Sequence, residues 1–92
     1  MKAYLLPKRM SLGPHVYVKV QLTSPTTMKL HTEGEEVDGL WLPSFEDNNA
    51  ELGIIYIAEN LSSARRWTIF RHELIHAIHD TDAWLRDTYG PQ

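Results

Sequence analysis

Three of the five histidines in this 92-residue chain fall between positions 72 and 79. Two of them open and close the run His72-Glu73-Leu74-Ile75-His76, an HExxH sequence. Side chains at i and i+4 of a helix project side by side, so two imidazoles at this spacing can reach one tetrahedral zinc ion. On the helical wheel Glu73 stands about 100° from His72 and about 60° from His76, too far round to be a comfortable third ligand. It can instead reach a water held on the metal and take its proton. Zinc lowers the pKa of such a water, and a carboxylate beside it completes a nucleophile for hydrolysis. A shuffled chain of the same composition would match HExxH only about 0.02 times, so chance alone seldom produces the run.

A catalytic zinc keeps three protein ligands and one open position. No Glu follows Glu73, and the downstream candidates for the third ligand are His79, Asp80, Asp82 and Asp87. Asp80 shares a face with His72 and His76, but eight residues of straight helix span about 12 Å, which a short Asp side chain hardly closes. A helix that breaks near His79 would let the chain turn and aim Asp82 at the metal. The offset from His76 to Asp82 is that of the metzincin signature, which carries Gly where this chain has His79. His tolerates left-handed φ better than most residues but less well than Gly. Asp82 is therefore the preferred third ligand and Asp80 the next. His79 is expected at an exposed helix end, complementing the dipole. His15 and His31 fall in the strand region and are expected to be surface residues.

The elements that must position these groups can be read from the periodicities. Ser62 is the expected N-cap of the motif helix, with Ser63 as the second choice, and the helix should run to about His79. Trp67, Phe70, Leu74, Ala77 and Ile78 share an arc about 100° wide that can pack on a sheet, with His72 and His76 on the other side. Val16 to Leu22 reads as a strand, Thr23 to Thr27 as a turn and Met28 to His31 as a short second strand. Glu33 to Glu36 reads as a solvated acidic turn. Val37 to Phe45 is expected at a sheet edge, because Pro43 cannot donate to a ladder. Glu46-Asp47-Asn48-Asn49 reads as a hairpin turn, since Asn and Asp tolerate positive φ. Leu52 to Ala58 is the most apolar strand and is expected at the centre. Tyr89-Gly90-Pro91 reads as a terminator, and Thr81 to Arg86 as a short extra helix. The expected fold is α+β, one minimal domain over residues 1–92. A small, mostly antiparallel sheet of three to four strands packs on one long helix.

Composition narrows the function classes. Nine Lys and Arg against twelve Asp and Glu leave a net charge of −3, which argues against a broad nucleic-acid surface. The absence of cysteine excludes disulfides, thiolate ligands and a cysteine nucleophile. The apolar runs are far shorter than the roughly 20 residues needed to cross a bilayer. Pro7, Lys8 and Arg9 stand where a signal peptide would carry its apolar centre, so a cytoplasmic location is expected. Trp41, Trp67 and Trp84 are expected in the core rather than on a binding surface.

Residues 58–76 carry a family resemblance. An apolar strand, Ile54 to Ile57, leads to Leu61-Ser62 and the basic pair Arg65-Arg66, then Trp67-Thr68 and finally His72-Glu73-Leu74-Ile75-His76. Together with Gly39-Leu40-Trp41-Leu42, this resembles the core of the ImmA/IrrE-type HExxH peptidases over about residues 37 to 79, roughly half the chain. The resemblance implies one Zn²⁺ held by His72 and His76, Glu73 as catalytic base, and a more distant acidic third ligand. Sixteen residues follow His76, a length that fits a stripped-down relative of the kind found in phages and mobile elements. The expected activity is zinc-dependent hydrolysis of a protein or peptide, with one specific partner as substrate, extended along Val37 to Leu42. Tyr56, Arg71 and Tyr89 are candidate oxyanion donors, each with a plainer assignment as a strand, helix-surface or tail residue. The alternative is a non-catalytic zinc-binding or interaction protein that keeps the scaffold.

Overall fold

The computed structural model of the chain describes residues 5–46 and 49–90. In order it contains β1 (Arg9–Gly13), β2 (Val16–Thr23), α1 (Pro25–His31), β3 (Gly39–Pro43), β4 (Glu51–Ala58) and α2 (Ser63–Tyr89). The four strands make one sheet in the order β1-β2-β4-β3. Both outer pairings are antiparallel, and the inner one, β2 with β4, is parallel. A parallel pair needs a long crossover, here the segment carrying α1 and β3. The result is the expected α+β architecture, with one parallel pairing inside a mostly antiparallel sheet.

β4 lies between β2 and β3, as its run of apolar residues predicts, and Leu52, Ile55, Ile57 and Ala58 are buried. β3 is an edge strand and ends at Pro43, whose missing N–H costs least at the end of an edge strand. Register pairs Leu40 with Tyr56 and Leu42 with Ile54. The expected turn at Glu46–Asn49 falls partly on residues 47 and 48, which lie outside the described residues.

In the first half of the chain two stretches differ from expectation. Met28 to His31 is helical. Ser24 caps α1, accepting from the Thr27 N–H at 3.2 Å, and Pro25 sits in the first turn, where a missing N–H is harmless. The Ser-Pro pair that resembles a turn is thus a helix start. β1 adds an edge strand that the Arg-Met-Ser-Leu-Gly sequence hardly announces.

α2 begins as expected at Ser62, whose Oγ accepts from the Arg65 N–H at 3.2 Å. It does not break near His79. No Gly or Pro occurs from Ser63 to Tyr89, so nothing stops the helix until Gly90, at φ +75°. The extra helix expected over Thr81 to Arg86 is the continuation of this one element, about 40 Å long. Phe70, Glu73, Ala77 and Thr81 form its buried stripe, joined at the margins by Trp67, Leu74 and Trp84. Ile78, expected in that stripe, is 42% exposed, because the buried face is centred nearer Ala77. The core beneath joins Val18, Trp41, Leu52, Ile55, Ile57, Phe70 and Ala77. Each such large apolar side chain contributes about 1.5–3 kcal/mol on burial.

Candidate metal centre

β3 is set beside α2 by three contacts that rise together along both elements. At its start, the Asp38 carboxylate pairs with Arg65 at 3.2 Å. Next, Gly39 passes so close to the helix that an added Cβ would collide with Ile69 Cγ2 and lie 3.1 Å from Glu73 Cγ. Last, the Trp41 indole donates from Nε1 to Asp80 Oδ2 at 2.8 Å. Trp41 reaches Asp80 by lying over Gly53, at φ +152°, where a Cβ would meet the indole ring at 2.6 Å. Glycine is required at both places by close approach, and the strand thereby presses on the helix at Glu73.

Glu73 is buried while its two neighbours in the motif, His72 and His76, are exposed. The two imidazoles converge, with Nε2 of one 3.2 Å from Nε2 of the other. Their rings cross at 80° with centroids 4.8 Å apart. Two nitrogens bound at about 2.1 Å to a tetrahedral ion stand about 3.4 Å apart, so the separation of the pair is close to that of two ligands sharing one metal. Ligand atoms of His72, Glu73 and His76 all lie within 4.8 Å of one another. Two imidazole nitrogens with a carboxylate oxygen beside them form a group that could hold a metal ion.

Among the described residues this cluster contains neither Asp82 nor Asp80. Asp82 depended on a turn after His79 that the continuous helix removes, and six residues of straight helix carry it about 120° round the axis from His76. Asp80 keeps the face of His72 and His76, but one of its oxygens accepts from Trp41. His79 is exposed within the helix rather than at its end, and Asp87 lies three turns further on. His15 sits in the β1–β2 turn at φ +66°. His31 ends α1 and stacks on Tyr56, with centroids 4.9 Å apart. Tyr56 is therefore engaged with α1 and is not part of the cluster. Arg71 is on the exposed helix surface, and Tyr89 closes α2 more than three turns beyond His76.

Trp41 and Phe45 join Trp84 in an aromatic group, Phe45 stacking on Trp84 at 5.1 Å. All three tryptophans pack in or against the core. The Trp41–Asp80 bond has no signal in the sequence. A glycine inside a strand pattern does signal close backbone approach, and Gly39 carries that signal. No helix among the described residues is long and apolar enough to cross a membrane. No family model, curated protein or solved structure matches the chain.

Proposed function

We propose that the chain is a zinc-dependent peptidase of minimal size, akin to the ImmA/IrrE-type enzymes its motif resembles. The observation that carries this reading is the 3.2 Å approach of the His72 and His76 Nε2 atoms beside the Glu73 carboxylate. In this reading the two imidazoles hold the metal. A bound zinc ion supplies Lewis acidity and a water of lowered pKa. Glu73 accepts the proton of the attacking water and returns it to the leaving amine. Its burial and the close approach of Gly39 confine its stem against β3.

The edge strand provides the platform for the substrate. Asp38 accepts from the Ala58 N–H at 2.9 Å, and the Ser44 N–H donates to Leu52 at 2.8 Å. Bonding alternates along an antiparallel ladder, so the backbones of Leu40 and Leu42 also face β4, and those of Gly39 and Trp41 face outward. An extended peptide added here gains main-chain bonds right beside Glu73.

A second reading, a zinc protein without hydrolytic activity, is favoured by the cluster having only three members among the described residues. One experiment separates the two. The zinc-loaded chain is incubated with a peptide library and the products are read by mass spectrometry. Cleavage should occur with the native chain and fall about 10²–10⁴-fold in Glu73→Gln, with bound zinc unchanged. A zinc-loaded native chain that cleaves nothing favours the second reading, and turnover that survives Glu73→Gln removes the proposed base.

A further inference from the structure

The outward side of α2 bears a second pattern. Thr68, Arg71, Ile75, Ile78, Asp82 and Leu85 succeed one another at alternating spacings of three and four, the repeat of a helix seam, and all six are exposed. Ile75 is 66% exposed, and Ile78 and Leu85 are 42% and 38%. The seam lies about a third of a turn round from the buried stripe, so the sheet does not cover it. Among the described residues neither Arg71 nor Asp82 has an ion-pair partner.

We infer that this face docks a second copy of the chain, the two α2 helices lying antiparallel about a two-fold axis between residues 76 and 77. The order of residues is self-complementary in that sense. Ile75 meets Ile78 of the second copy, Arg71 meets its Asp82, and Thr68 meets its Leu85. Every layer occurs twice, as an isologous interface requires. A parallel pairing would set Arg71 against Arg71 and Asp82 against Asp82, so charge selects the antiparallel arrangement. The match needs a spacing that reads the same in both directions and opposite charges equidistant from its centre, and the seam has both.

The arrangement bears on the metal centre. His72 flanks the seam between the Arg71 and Ile75 layers. His79 of the second copy flanks the same interval, because it lies between its own Ile78 and Asp82. A third imidazole is thereby brought beside His72, the member of the pair nearer the seam, while the described residues of a single chain place only Glu73 with the two histidines. This last step rests on the metal reading above, whereas the docking itself does not.

Sedimentation equilibrium of the full chain, with and without equimolar zinc, tests the docking, with bound zinc measured on the same samples. The native chain should associate to twice its single-chain mass of 10.6 kDa. Arg71→Glu and Asp82→Arg should each weaken association about tenfold, and mixing the two variants should restore it, since each then faces its opposite. His79→Ala should lower zinc affinity in the associating native background and leave it unchanged in Arg71→Glu. A single-chain mass in both metal conditions overturns the docking, as does association indifferent to both charge changes. Association that follows the charge pattern in a chain that binds no zinc upholds the docking and removes only the metal reading.

Discussion

Glu73 belongs to two structures at once. Its stem lies in the buried stripe of α2 against Gly39, while its carboxylate stands within ligand distance of two exposed imidazoles. A group held this way has few rotamers to lose when it acts, which is what a general base needs. The neighbouring Trp41–Asp80 bond fixes the strand that presses on it. Trp41→Phe keeps most of the packing and removes the indole donor, leaving the Asp80 oxygen without its partner. The expected outcome is a loss of about 1 kcal/mol in a urea unfolding series, and Asp80→Asn, which retains an acceptor, should lose less. At this scale the motif was fully legible, because HExxH states its own geometry once the helix is granted. The third ligand was not. The preference for Asp82 rests on a helix break at His79, where the metzincin signature that shares its offset has Gly. Without that Gly the helix has no reason to turn.

Elements obey local chemistry until packing overrides it. Ser62, the edge position of the strand ending at Pro43 and the central position of β4 were all readable, since capping, a missing donor and a continuous apolar run are local properties. Ser62→Ala should cost about 1 kcal/mol and fray the first turn of α2, seen as a lower thermal midpoint and faster amide exchange at residues 64 and 65. The misread elements fail for equally local reasons. Ser24-Pro25 serves a turn or a helix start with the same chemistry, and only the burial of Met28 against the sheet decides for α1. The parallel pairing of β2 with β4 is a long-range choice that no periodicity encodes. The buried stripe of α2 contains Glu73 and Thr81, so a wheel drawn from apolar residues alone is rotated toward Ile78.

At the scale of the whole molecule, a small core sits between one sheet and one helix, and the proposed ion is held by the helix at the margin of that contact. A ligand that binds only the folded state adds stability by mass action, about 2.7 kcal/mol at a free concentration a hundred times its dissociation constant. Zinc at that concentration should therefore raise the thermal midpoint by about 10–20 °C, and a chelator should reverse the rise. In His72→Ala the midpoint should be indifferent to both additions. Imidazole must be neutral to bind, so the zinc-dependent part of the stability should shrink as the solution is acidified. The measurement that most directly tests the central claim is X-ray absorption at the zinc edge, combined with elemental analysis of the purified chain. One zinc per chain is expected, with imidazole nitrogens at about 2.0–2.1 Å, lost in His72→Ala and in His76→Ala and retained in Glu73→Gln. A native chain that takes up no zinc, or one whose zinc persists when both histidines are replaced, would contradict it.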